Sequence, residues 1–95
     1  MLKYTKYLLE KVEQLFSELG YTVRYERGSF QSGYCLVHNQ SIAVINKFFD
    51  TEARINTLLE ILDGLSIDPT VLSPTGQQTF EKVRSAISEK HAETS

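Results

Sequence analysis

Apolar residues near the amino terminus recur at helical spacing. The positions concerned are Leu8, Val12, Leu15, Phe16 and Leu19. Because they fall on one side of a 3.6-residue repeat, they predict an amphipathic helix across residues 2–19. Gly20 follows directly, and glycine readily adopts the left-handed conformation that ends many helices.

The pattern changes after Gly20 to an alternation that is typical of strands. Tyr21, Val23 and Tyr25 alternate with polar residues, which predicts a half-buried strand. Two shorter β-prone runs follow at residues 34–37 and 42–45, and the short segment between them predicts a tight hairpin. The last run is apolar at every position, which is typical of a strand covered on both faces.

Two further helices are predicted in the second half of the chain. Asp50 or Thr51 can cap the first of these helices, and its apolar stripe ends before Gly64. The second helix opens on Ser73 and Pro74, which suit a capping position and a first helical position.

Together these elements predict a single α+β domain over residues 1–90, followed by a frayed tail at residues 91–95. We expect the element order α-β-β-β-α-α and a three-stranded antiparallel meander with the helices packed on it. The expected core consists of Leu8, Val12, Leu15, Phe16, Val23, Leu36, Val44, Leu58, Leu62, Phe80 and Val83.

Composition narrows the class of protein. The chain has 95 residues, a net charge of −2 and one cysteine, so no internal disulfide can form. The weak negative charge argues against a nucleic-acid partner, and no apolar run is long enough for a membrane span. The amino terminus lacks the apolar core of a signal peptide. We therefore expect a small cytoplasmic domain with neither a membrane nor a nucleic-acid partner.

Five polar residues form the candidate ligand site. They are Arg24, Arg27, Ser29, Ser32 and Lys47. Backbone N–H groups in a glycine- and serine-rich loop with flanking arginines can bind an anion. The loop from Gly28 to Gly33 lacks the Gly-Lys-Ser/Thr ending of a P-loop. The favoured interpretation is therefore that its glycines only permit a wide hairpin turn.

No set of side chains predicts catalysis. Cys35 and His38 could supply two zinc ligands, but a structural zinc site needs four. In a regular strand these two side chains leave opposite faces, which also argues against a thiol–imidazole pair. Glu60 and Asp63 lie on the second predicted helix without a nearby histidine or nucleophile. We expect no catalytic residues, no metal and no cofactor.

Three segments of the chain resemble a small family of uncharacterised bacterial proteins that has no assigned activity. They are Gly33-Tyr34-Cys35-Leu36, Ile42-Ala43-Val44-Ile45-Asn46-Lys47 and Glu52-Ala53-Arg54-Ile55. The resemblance extends over much of the chain, but it implies no activity that could be transferred.

A second, local resemblance covers residues 45–63, which are similar to the strand-then-helix segment of zinc peptidase domains linked to stress and phage regulation. Glu60 takes the place of the general-base glutamate of His-Glu-x-x-His. Leu59 and Asp63 take the places of the two histidines. Because a leucine cannot bind zinc, the resemblance implies a metal site that has been lost.

These observations predict a non-catalytic binding or protein-interaction module. The alternative is a small-ligand or anion-binding protein, or a weak enzyme, that uses the region between Arg24 and Lys47. The strand at residues 42–45 predicts either a helix against each sheet face or one apolar face that a partner buries. Of these two we favour a homodimer, formed through the sheet face or a strand edge.

Overall fold

A computed structural model describes residues 3–27, 33–37 and 40–94, with residues 33–37 and 89–94 described as backbone only. Its elements are α1 (Lys6–Glu18), β1 (Tyr21–Glu26), β2 (Gly33–Val37), β3 (Gln40–Asn46), α2 (Thr51–Asp63), the 3₁₀ helix η1 (Pro69–Val71) and α3 (Pro74–Thr94). The short helix η1 adds an element to the predicted order.

Each α-helix begins at a side-chain cap. The caps are Thr5, Asp50 and Ser73, and each side-chain oxygen accepts the backbone N–H three residues later, at 3.2, 2.8 and 3.1 Å respectively. These bonds satisfy donors that a helix start leaves without an intrahelical partner. At the other end of α1, Gly20 has a φ of +85°, which confirms the predicted left-handed glycine.

The three strands form one mixed sheet in the order β1-β3-β2. The central strand β3 is antiparallel to β2 and parallel to β1, with Tyr25 beside Ile45. The predicted three-stranded antiparallel meander is therefore wrong. The physical reason is the difference in hydrophobicity between the strands. The apolar strand β3 occupies the centre of the sheet, where both of its edges are paired. Strand β1 exposes Thr22 and Arg24 on one face and occupies an edge of the sheet.

All three α-helices lie on one side of this sheet. Helices α1 and α2 pack against the face that carries Tyr25 and Ile45, and α3 packs on α1 and α2. Phe16 of α1 meets Tyr21 of β1 edge to face, with ring centroids 6.0 Å apart. A helix against each sheet face, one of the two predicted ways to cover β3, is thus not found in the described part of the chain.

The core fills the space between the sheet and the helices. It contains Leu8, Leu9, Val12, Leu15, Phe16, Ala43, Ile45, Ile55, Leu58, Leu59, Leu62, Leu72 and Val83. The predictions for Leu8, Val12, Leu15, Phe16, Leu58, Leu62 and Val83 are confirmed. Val23 and Phe80 are only half-buried at the edge of this core, and Val44 is half-buried on the opposite sheet face. The side chain of Leu36 lies outside the described residues.

A hydrogen bond joins the end of α1 to the start of α3. The carboxylate of Glu18 accepts the backbone N–H of Ser73 at 2.6 Å, and this bond lowers the pKa of Glu18. Gly76 lies against the same carboxylate, where an added Cβ would stand 2.7 Å from Oε2. A Cβ at this position would require the flexible end of the Glu18 side chain to shift, whereas glycine within a helix otherwise costs stability.

Leu58→Ala tests the packing of α2. Because Leu58 is fully buried, we expect the substitution to lower the free energy of unfolding by about 2–5 kcal/mol. Urea unfolding followed by circular dichroism measures the change. Gln14→Ala on the exposed face of α1 is the control and should lower it by less than about 0.5 kcal/mol. Equal effects of the two substitutions would contradict the assigned core.

Candidate functional site

The parallel strands β1 and β3 end side by side, and two cationic residues follow them. The backbone N–H of Lys47 donates to the carbonyl of Glu26 at 2.8 Å, which places Arg27 and Lys47 at the same edge of the sheet. Both residues are exposed. Ligands of open α/β sheets usually bind outside the carboxyl ends of parallel strands. This edge is therefore the candidate position of a ligand site.

The turn that follows β3 exposes an aromatic side chain to solvent. In this turn, residues 46–49 and hereafter the Phe48 turn, the side chain of Asn46 accepts the N–H of Phe48 at 3.0 Å. The carbonyl of Asn46 accepts the N–H of Phe49 at 3.1 Å. The side chain of Phe48 is 75% exposed, whereas Phe49 packs against the core. The turn thus separates two adjacent aromatic rings, one inward and one outward.

Arg54 of α2 fixes both sides of the Phe48 turn. Its Nε donates to the carbonyl of Phe49 and its Nη2 donates to the carbonyl of Lys47, each at 2.9 Å. The guanidinium also lies 4.4 Å from the centre of the Tyr25 ring, a cation–π distance. The Arg54 guanidinium is therefore occupied by two backbone carbonyls and the Tyr25 ring. At this edge of the sheet, Arg27 and Lys47 are the exposed cationic residues.

Tyr25 also connects strand β1 to helix α1. Its hydroxyl donates a hydrogen bond to the carboxylate of Glu13. Burial raises the pKa of Tyr25, and the hydrogen bond and negative charge of Glu13 raise it further. The phenol therefore stays protonated and joins β1 to α1, while the Arg54 guanidinium on its face joins β1 to α2.

The five residues of the predicted ligand site are not all brought together. Arg24 lies on the sheet face that the helices leave uncovered, and its guanidinium pairs with Glu26 at 3.0 Å. Arg27 and Lys47 meet at the carboxyl edge. Ser29 and Ser32 lie outside the described residues. Because strand alternation sends Arg24 to a face while Arg27 follows the strand end, the two arginines do not form one site.

Sequence reasoning missed Phe48 and Arg54. A usable signal was present in the pair Phe48 and Phe49, because adjacent side chains at a strand end point in opposite directions and one ring has to face outward. The role of Arg54 depends on carbonyls several residues away along the chain. Periodicity along one helix carries no information about such partners.

A groove with polar and apolar walls, hereafter the α2–α3 groove, lies between the end of α2, η1 and α3. It has a volume of about 350 Å³, and its walls include Leu62, Ile67, Phe80 and Ile87. Asp63 and Arg84 are the charged residues among those that line it. The α2–α3 groove is large enough for an aromatic side chain. The apolar residues of its walls offer contacts to such a ring, although polar surface exceeds apolar surface in the lining.

The candidate catalytic and metal residues form no site that can be described. Among the described residues, no three histidine, cysteine, aspartate or glutamate side chains are placed to hold a metal ion. On α2, Leu59 is buried while Glu60 and Asp63 are exposed. The side chain of Cys35 and all of His38 lie outside the described residues.

Comparison of the chain with protein-family models, with curated proteins and with solved structures finds no match. The two resemblances noted in the sequence therefore stay predictions. In the ranges that the structure describes, none of the helices combines the length and the apolarity needed to cross a bilayer.

Tyr25→Phe tests the junction between α1, β1 and α2. The pKa of Tyr25 is raised above its usual value of 10.0 in the folded protein, so the associated stability is present below pH 10 and is lost as the pH rises above it. We expect the free energy of unfolding to fall more steeply above about pH 10 in the wild type than in Tyr25→Phe. Urea unfolding at a series of pH values measures both slopes, and identical slopes would contradict the buried, hydrogen-bonded phenol.

Proposed function

We propose that the chain is a non-catalytic protein-interaction module whose contact surface is the Phe48 turn with Arg27 and Lys47. The observation that supports this function is the 75% exposure of Phe48 on a turn held by hydrogen bonds from Arg54. An aromatic ring that is already fixed in place loses little conformational entropy on binding. Aromatic residues, Phe included, and arginine are also enriched in protein interfaces.

A second copy of the chain is the partner that fits this surface. The α2–α3 groove offers a cavity for the ring, with Leu62, Ile67, Phe80 and Ile87 as its apolar contacts. Residues 48–95 contain four basic and eight acidic groups and so carry a net charge of −4. This charge is complementary to Arg27 and Lys47. The helix-free sheet face is a poorer surface, because Arg24 is exposed there and Ile42 is already only 7% exposed.

The proposed homodimer is closed and two-fold symmetric. Helix α2 begins beside the Phe48 turn and ends at the groove, roughly 20 Å away for a helix of 13 residues. Two copies that run antiparallel along α2 therefore bring each Phe48 ring to the groove of the other copy. Reciprocal contacts of this kind close the assembly at two chains, as in most symmetric oligomers.

Phe48→Ser tests the interaction surface. We expect the wild type to have about twice the chain mass of 10.8 kDa at micromolar concentration and Phe48→Ser to be a monomer. Size-exclusion chromatography with light scattering measures both masses. Tyr7→Ser is the matched control, because that ring is 68% exposed on α1, away from the turn, and its loss should leave the dimer intact. A monomeric wild type would refute the homodimer.

Mixing two variants tests whether Phe48 enters the groove. Leu65→Glu places a charge in the groove wall at a residue that is not part of the core. Alone, Phe48→Ser and Leu65→Glu should each be monomeric. Mixed, they retain one intact ring and one intact groove, so an equimolar mixture should contain a heterodimer with one of the two contacts. If the mixture stays monomeric while the wild type is a dimer, the ring and the groove are not partners.

Anion binding at the carboxyl edge is the second candidate function. It is favoured by the backbone hydrogen bond that places Arg27 and Lys47 together, and it corresponds to the predicted ligand site without Arg24. A rise in melting temperature with inorganic phosphate that is lost in Arg27→Gln would support this function. Loss of that rise on replacing lysines elsewhere would exclude this edge as the anion site.

A further inference from the structure

A second groove, hereafter the lysine groove, lies between the amino-terminal half of α1 and α3. Its volume is about 250 Å³, and Lys3, Lys11 and Lys82 are among its lining residues. Among the side chains that the structure describes, lysines are the only charged ones in its lining, and no carboxylate belongs to it. Within the described ranges, none of these three ammonium groups lies within ion-pair distance of a carboxylate.

The positive charge of the lysine groove contrasts with the negative net charge of the chain. Acidic residues outnumber basic ones by twelve to ten, yet three lysines line one groove to which no described carboxylate belongs. Like charges brought together lower stability unless an opposite charge joins them. The first turn of α1 makes the local potential more positive, because it contains no acidic residue. An anion bound in the lysine groove would relieve both effects.

Two features show that the lysine groove is more than a set of mobile surface lysines. The ammonium of Lys11 lies 5.4 Å from the centre of the Tyr7 ring, and a cation–π contact restricts where that charge can point. Thr79 forms a polar wall that is only 7% exposed, and its hydroxyl donates to the carbonyl of Thr75. Gln78 adds an amide to the lining.

We propose that the lysine groove binds a small molecule that carries phosphate groups. Several ammonium donors in one recess suit the multiple negative charges and the many acceptor oxygens of a phosphate. The cavity is larger than one phosphate group requires, so the ligand is a diphosphate or a phosphate ester. This binding site goes beyond the proposed interaction surface, because no residue of the Phe48 turn lines it.

Isothermal titration with inorganic pyrophosphate at low ionic strength tests the lysine groove. We expect saturable binding by the wild type and at least about tenfold weaker binding by the double variant Lys11→Gln, Lys82→Gln, because two charged hydrogen-bond donors are removed. The matched control is the double variant Lys6→Gln, Arg24→Gln, whose two residues are exposed and do not line the groove. It makes the same change in net charge and should alter the affinity by less than about twofold.

Three results would overturn the proposal. They are no binding of pyrophosphate by the wild type, an equal loss in both double variants, and a larger loss in the control variant. Melting temperatures of both variants verify folding. If the double variant fails to fold, Lys82→Gln alone at an exposed position provides the same comparison.

Cosedimentation with lipid vesicles distinguishes a phosphate group on a lipid headgroup from a phosphate compound in solution. Vesicles of phosphatidylcholine with a phosphoinositide present phosphate groups on a lipid headgroup, whereas pyrophosphate is free in solution. Pyrophosphate binding without cosedimentation identifies a soluble phosphate ligand. Cosedimentation that pyrophosphate competes away and that the variant of the lysine groove loses identifies a headgroup. Cosedimentation that the variant retains would overturn the lysine groove as the phosphate site.

Discussion

Arg54 makes the contacts on which the candidate interaction surface depends. One planar guanidinium stacks on Tyr25 and donates to the carbonyls of Lys47 and Phe49. Arginine stays charged over the whole physiological pH range, and its donors are fixed in one plane, so these contacts persist together. Tyr25 extends them to α1 through Glu13. The first turn of α2 is thereby fixed against the carboxyl end of the sheet.

The position of Arg54 has a direct consequence for the surface. Because its donors bind both carbonyls that flank residue 48, the ring of Phe48 is held away from the core while Phe49 packs into it. The same contacts occupy the arginine closest to the edge and leave Arg27 and Lys47 facing solvent. An exposed aromatic residue next to a lysine, with a second cation at the same sheet edge, is an arrangement that binding can use and that folding alone does not require.

The net charge of the chain does not describe how charged residues are distributed over its surface. The chain as a whole is weakly acidic, yet it has a basic carboxyl edge and, on another side, a groove lined by lysines. The acidic residues concentrate after position 48. Local potentials depend on which side chains the fold places together, so a chain near neutrality can still present two surfaces suited to different anionic partners.

Local sequence determined the helices and most of the core. The stripe through Leu8, Val12, Leu15 and Phe16, the caps at Asp50 and Ser73, and the glycine after α1 all depend on neighbours within one or two turns. Arg27 could be selected as a candidate because it flanks the glycine- and serine-rich loop, and Lys47 because it lies beside the predicted sheet. These features could be predicted because the interactions behind them are short-range.

Only the tertiary structure decided the strand order, the outward Phe48 and the grouping of Lys3, Lys11 and Lys82. The apolar run in β3 showed that this strand would be covered, but pairing on both edges and helices on both faces give the same hydrophobic pattern. Likewise, Lys82 is distant in sequence from Lys3 and Lys11, and it joins them because α3 packs along α1. Hydrophobic periodicity specifies which side of an element is buried, whereas the choice of neighbour depends on long-range packing of the whole chain.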